Sequence, residues 1–101
     1  MLMKSARRYP GHLEGRPFLL RDLCLALTWA EGRPGVRLHI MLDHPDINEV
    51  IEIYPLTFSS PRWLIWNTFD GHLRVVDLAE ADFGLPYPTV ATALRFIESR
   101  L

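Results

Sequence analysis

From residue 36 to 42 apolar and polar positions alternate, with Val36, Leu38, Ile40 and Leu42 on one side and Arg37, His39 and Met41 on the other. A period of two predicts a strand with one buried face. Asp43-His44-Pro45-Asp46 has the chemistry of a turn, and a second β-forming run follows at 47–54. With those four residues as the loop, Leu42 faces Ile47, Leu38 faces Ile51 and Val36 faces Ile53. The opposite side then sets Arg37 against Glu52, a favourable cross-strand charge pair, and only Glu49 interrupts the apolar face.

Ahead of this hairpin the period changes. Over 18–31 the residues Phe18, Leu19, Leu23, Ala26, Leu27 and Ala30 form an apolar stripe, with Arg21, Asp22, Thr28 and Glu31 opposite. Pro17 suits a helix start, while Gly32, Pro34 and Gly35 prevent continuation, so the segment predicts a helix. Residues 1–15 carry Pro10, Gly11 and Gly15 without periodicity and predict an extended or mobile lead-in.

A second hairpin is predicted around Asp70-Gly71, a strong signal for a two-residue turn. Its strands cover 62–69 and 72–78, pairing Phe69 with His72, Asn67 with Arg74, Ile65 with Val76 and Trp63 with Leu78. The other side joins Trp66 to Val75 and Leu64 to Asp77, with Leu73 beside Thr68. Residues 55–61 and 79–86 read as loops. Pro88 and Thr89 open a last helix in which Val90, Leu94, Ile97 and Leu101 recur at helical spacing.

The predicted fold is α+β: a two-layer, four-stranded antiparallel sheet made of two hairpins. N- and C-terminal helices pack on one face, in the order α-β-β-β-β-α. The 101 residues suit one domain, and 49% hydrophobic content with a net charge of -1 excludes a disordered chain. That charge balance also argues against a nucleic-acid binder, although Lys4, Arg7, Arg8 and Arg16 give the start of the chain a local basic character. No run approaches the length of a membrane span, and no apolar stretch of a secretory leader follows the first positive charges. The cytoplasm is the expected compartment. Ten of the eleven basic residues are arginine, which fits GC-rich bacterial coding.

Candidate chemistry is sparse. Asp43, His44, Asp46 and Glu49 are metal-ligand types, but their spacing matches no known site, and turn chemistry accounts for Asp and Pro there. Cys24, the single cysteine, sits mid-helix between leucines and reads as a buried small apolar residue. His72 flanks a turn, and Asp77, Glu80 and Asp82 read as a solvated acidic stretch. No signature of a hydrolase, metalloprotease, phosphate-binding loop or dinucleotide site is present, and no cofactor is expected.

What stands out is that both faces of the second hairpin are apolar. One carries Trp63 and Ile65, the other Leu64 and Trp66. Helices cover one face of such a sheet, so the other is covered by residues 1–15, by the 55–61 loop, by a second chain or by a ligand. The leading expectation is a non-catalytic interaction module acting as a homodimer, with Trp63, Trp66, Tyr54, Phe69 and Arg74 at the partner or ligand surface. A second expectation is a small-molecule binder or minor enzyme. Its pocket would be lined by Trp29, Trp63, Trp66, Phe69 and Tyr87, with His39 and Arg74 as polar anchors. Nucleic-acid binding through Lys4, Arg7 and Arg8 is the weakest of the three.

Overall fold

A computed structural model of the chain describes residues 16–44, 48–68, 72–80 and 86–101. The first helix, α1, spans Leu20–Glu31 and the last, α2, spans Val90–Glu98. Between them lie β1 (Val36–His44), β2 (Asn48–Pro55), β3 (Trp63–Asn67), β4 (Leu73–Asp77) and β5 (Pro86–Tyr87). The strands form one antiparallel sheet in the order β1-β2-β3-β4-β5. The α+β class, the antiparallel pairing and both helices are as the sequence pattern predicts.

The fifth strand is a correction. Tyr87 pairs with Leu73 and Pro86 with Arg74, where sequence patterning predicts the end of a loop. Two residues are too short to carry a period, and proline is tolerated there because β5 is an edge strand.

α2 begins with a capping box that satisfies two otherwise unpaired amides. Thr92 donates its backbone N–H to Thr89 Oγ1, and Thr89 N–H donates to Thr92 Oγ1, both at 3.2 Å. Val90, Ala93, Leu94 and Ile97 face the sheet and are buried, whereas Leu101 lies past the helix end and is exposed. α1 differs, because only Ala26 of its twelve residues is buried. Of its predicted stripe, Leu23 and Ala30 pack partly against the core and Phe18 is buried just before the helix. Leu19 and Leu27 are exposed instead, and so is Cys24.

Both hairpin registers differ from the predicted ones. In β1–β2, Leu38 pairs with Ile53, His39 with Glu52 and Arg37 with Tyr54. A shift of two residues keeps every side chain on its predicted face but gives Glu52 to His39 rather than to Arg37. Nearer the turn a bulge between Met41 and His44 changes the register again, and β1 runs two residues further than predicted.

In β3–β4 the shift is one residue. Trp63 pairs with Asp77, Leu64 with Val76, Ile65 with Val75 and Trp66 with Arg74. Thr68 N–H donates to the carbonyl of His72, so three residues rather than two lie between the paired positions. An odd shift exchanges faces along one strand. Leu73 and Val75 therefore join Trp63 and Ile65, while Val76 joins Leu64 and Trp66.

Two cores result. Beneath the helices, Val36, Ile51, Ile53, Trp63, Ile65, Leu73 and Val75 meet Phe18, Ala26, Val90, Ala93, Leu94 and Ile97. On the opposite face Val50, Leu64, Trp66 and Val76 form a second buried cluster, with Met41 against it. α1 lies over β1 and α2 over β4 and β5, with the two helices side by side.

Candidate functional site

Polar chemistry concentrates on the face away from the helices. His39, Glu52, Leu64 and Val76 occupy one row across β1 to β4. Glu52 is a carboxylate only 7% exposed. Its Oε1 accepts from His39 Nδ1 at 2.8 Å and from the Tyr54 hydroxyl at 3.2 Å. Arg37 stacks on the Tyr54 ring at 4.5 Å and donates through Nη2 to the Phe58 carbonyl at 2.6 Å. Burial, followed by the negative charge and hydrogen bond of Glu52, pushes the Tyr54 phenol up, and Arg37 partly offsets this. An imidazole held through Nδ1 by a buried carboxylate keeps its second ring nitrogen for anchoring a polar group. Trp66 and Arg74 stand opposite each other on the neighbouring rung of the same face.

The site residues suggested by the sequence are therefore dispersed. Trp63 lies fully buried beneath the helices, with Arg62 over its ring at 4.6 Å. Trp66 is 1% exposed on the opposite face, directly across from the half-buried Arg74. Tyr54 shares that face and is half-buried. Phe69 lies outside the described residues, as do Lys4, Arg7 and Arg8, and Asp46 in the metal-ligand set. Among the described residues no group of three His, Cys, Asp or Glu side chains is placed to hold a metal ion.

Asp77 corrects the reading of a solvated acidic stretch. It is 3% exposed and takes a bidentate pair from Arg62 Nε and Nη2, both at 3.1 Å, with a further bond from the Ala79 amide. This buried pair ties the start of β3 to the end of β4. It explains why a carboxylate can occupy the helix-covered face at all.

The aromatic pocket predicted from Trp29, Trp63, Trp66, Phe69 and Tyr87 does not assemble from those described. Tyr87 packs against Phe96 with ring centroids 5.4 Å apart. Trp29 instead lines a shallow groove of about 200 Å³ between the helices, with Leu25, Ala91, Leu94, Arg95 and Glu98. One end is closed by Glu98, which accepts from Arg33 Nη2 at 2.7 Å and from Trp29 Nε1 at 3.4 Å. Those bonds hold the Glu98 carboxyl below its ordinary range.

Among the described residues, α1 and the edge beside it carry several exposed apolar side chains. Successive residues turn by about 100° around a helix. With Ala26 facing the sheet, Leu25 and Trp29 point toward α2, which places Leu20 and Leu27 on the other flank. That flank overhangs the outer edge of β1, since α1 lies over β1. Leu20 is 76% exposed, Leu27 45%, and Leu42 of β1 62%. Composition could not reveal this, because α1 has as many apolar residues as a helix packed on two sides. Among the described residues no helix is long and apolar enough to cross a membrane. No protein-family model, no curated protein and no solved structure matches this chain.

Proposed function

We propose that this protein is a non-catalytic interaction module that works as a homodimer, joined through the outer flank of α1 and the adjoining edge of the sheet. The observation that carries the reading is α1 itself, a twelve-residue helix that buries Ala26 alone while Leu20 and Leu27 stand exposed. Contiguous apolar surface of this kind marks association sites, and a two-fold dimer is the commonest closed assembly. Trp63 and Trp66 support the fold rather than the contact, since both are buried within one chain.

Light scattering over a concentration series tests this. A dimeric mass is expected, falling to a monomeric mass in a Leu20→Glu, Leu27→Glu double variant that keeps its circular dichroism. A monomeric mass for the parent protein at the highest concentrations removes the proposal.

A second reading places a small ligand in the groove between the helices, because Leu25, Trp29, Ala91 and Leu94 give it apolar walls and Arg95 and Glu98 a polar rim. Its volume falls below the ~300 Å³ at which ligand pockets usually begin, which ranks it second. A ligand that raises the melting temperature, and loses that effect in Trp29→Ala, is its expected signature.

A further inference from the structure

We infer that two copies join by antiparallel pairing of β1 with the partner's β1, with His39 at the two-fold axis, so that the sheet continues from one copy into the other. This rests on the homodimer proposed above and specifies how it is built.

The two edges of the sheet are treated differently. β5 has two residues, one of them Pro86, a short and proline-blunted edge. β1 has nine residues without proline or lysine, and among the described residues its outer side pairs with nothing. A strand this long carries a row of backbone donors and acceptors suited to another strand.

The ladder shows which groups point outward. The Gly35 carbonyl accepts from Leu56 N–H at 2.9 Å, so within β1 the backbone groups of Arg37, His39 and Met41 turn toward β2. Those of Leu38 and Ile40 then turn toward the free edge. The stretch is bounded on both sides, because Val36 N–H already donates to the Arg33 carbonyl at 3.2 Å and the bulge begins after Met41.

These limits select one register. Pairing Leu38 with the partner's Leu38 sets Ile40 against the partner's Val36, whose N–H is engaged. Pairing Ile40 with the partner's Ile40 sets Leu38 against the partner's Leu42, inside the bulge. Only Leu38 against the partner's Ile40 matches both outward residues in both copies. The half-buried Leu38 and Ile40 then continue the helix-covered face across the axis, where Leu20 and Leu27 of α1 meet the partner's Leu27 and the partner's Leu20. On the other face His39 lies opposite the partner's His39, each backed by its own Glu52.

Opposed residues of a non-hydrogen-bonded rung have Cα atoms about 4.5 Å apart, within reach of a disulfide. In a Cys24→Ser background, His39→Cys is therefore expected to oxidise to a covalent dimer on a non-reducing gel. Arg37→Cys is not expected to do so, because its copies lie about 13 Å apart along the strands. Hydrogen exchange on the parent protein is the companion measurement. Protection of the Leu38 and Ile40 amides is expected to rise at least about tenfold as concentration passes through the dimerisation range. A dimer by light scattering that gives no His39→Cys cross-link and no such protection overturns the β1 pairing while the homodimer stands. Cross-linking through Arg37→Cys instead overturns the register. A monomer overturns both readings.

Discussion

His39 donates from Nδ1 to Glu52 Oε1 at 2.8 Å across the rung that joins β1 to β2. The pair unites an exposed ring on the edge strand with a carboxylate that is almost wholly buried. A buried carboxylate needs donors, and among side chains it has His39 and the Tyr54 hydroxyl.

His39→Ala and Tyr54→Phe are each expected to lower stability by about 1 kcal/mol in denaturant titration, the ordinary value of one hydrogen bond. The double variant should lose more than the sum, because it leaves Glu52 without side-chain donors. Strict additivity would mean that other groups satisfy the carboxylate.

The Arg62–Asp77 pair is expected to make the fold sensitive to acid. Burial alone would raise the Asp77 carboxyl, but the hydrogen bonds and charge of Arg62, with the amides of Ala79 and Glu80, outweigh it and hold the group below its ordinary value. A carboxyl depressed on folding contributes stability that is present above its unfolded pKa of about 4 and lost as pH falls through the lower folded value. The melting temperature should therefore drop steeply below about pH 4, and Asp77→Asn should flatten that dependence. Arg62→Met is expected to cost about 3 kcal/mol at neutral pH by leaving the carboxylate uncompensated. An unchanged acid profile in Asp77→Asn would assign the dependence to other carboxylates.

The tryptophans should behave as core residues. Trp63→Ala and Trp66→Ala are each expected to destabilise by about 3–5 kcal/mol. Neither should change the dimeric mass under conditions where the variant remains folded. A loss of mass without loss of stability would return the interface to the sheet face.

Thr89 begins the last helix, where it supplies a cap and receives one. Thr89→Ala should cost about 1 kcal/mol, read from the thermal midpoint, and Thr89→Ser much less because the hydroxyl is kept. Equal losses in the two would show that the Thr89 methyl, rather than its oxygen, carries the effect.

Most of the architecture was legible along the chain. Alternation at 36–42, the helical spacing of Val90, Leu94 and Ile97, and the breakers from Gly32 to Gly35 are local signals, and each element they predict is present. The candidate site was less so. His39 and Glu52 sit in separate strands, and a register drawn from the turn sequence gave Glu52 to Arg37. Arg62 carries no signal in the sequence, because a lone arginine at the start of a strand has no pattern until the β3–β4 pairing sets Asp77 beside it.

The sequence by itself determined the period of each segment, and with it the class of the fold, because period depends on neighbours along one strand or helix. Which faces meet was decided only in three dimensions. Turn length sets register, and one residue more between Thr68 and His72 exchanged the faces of β4. The exposure of Leu20 and Leu27 was decided in the same way, because a helix lying over an edge strand has sheet beneath it and α2 on one side only. No pattern within α1 records on which side its neighbours stop.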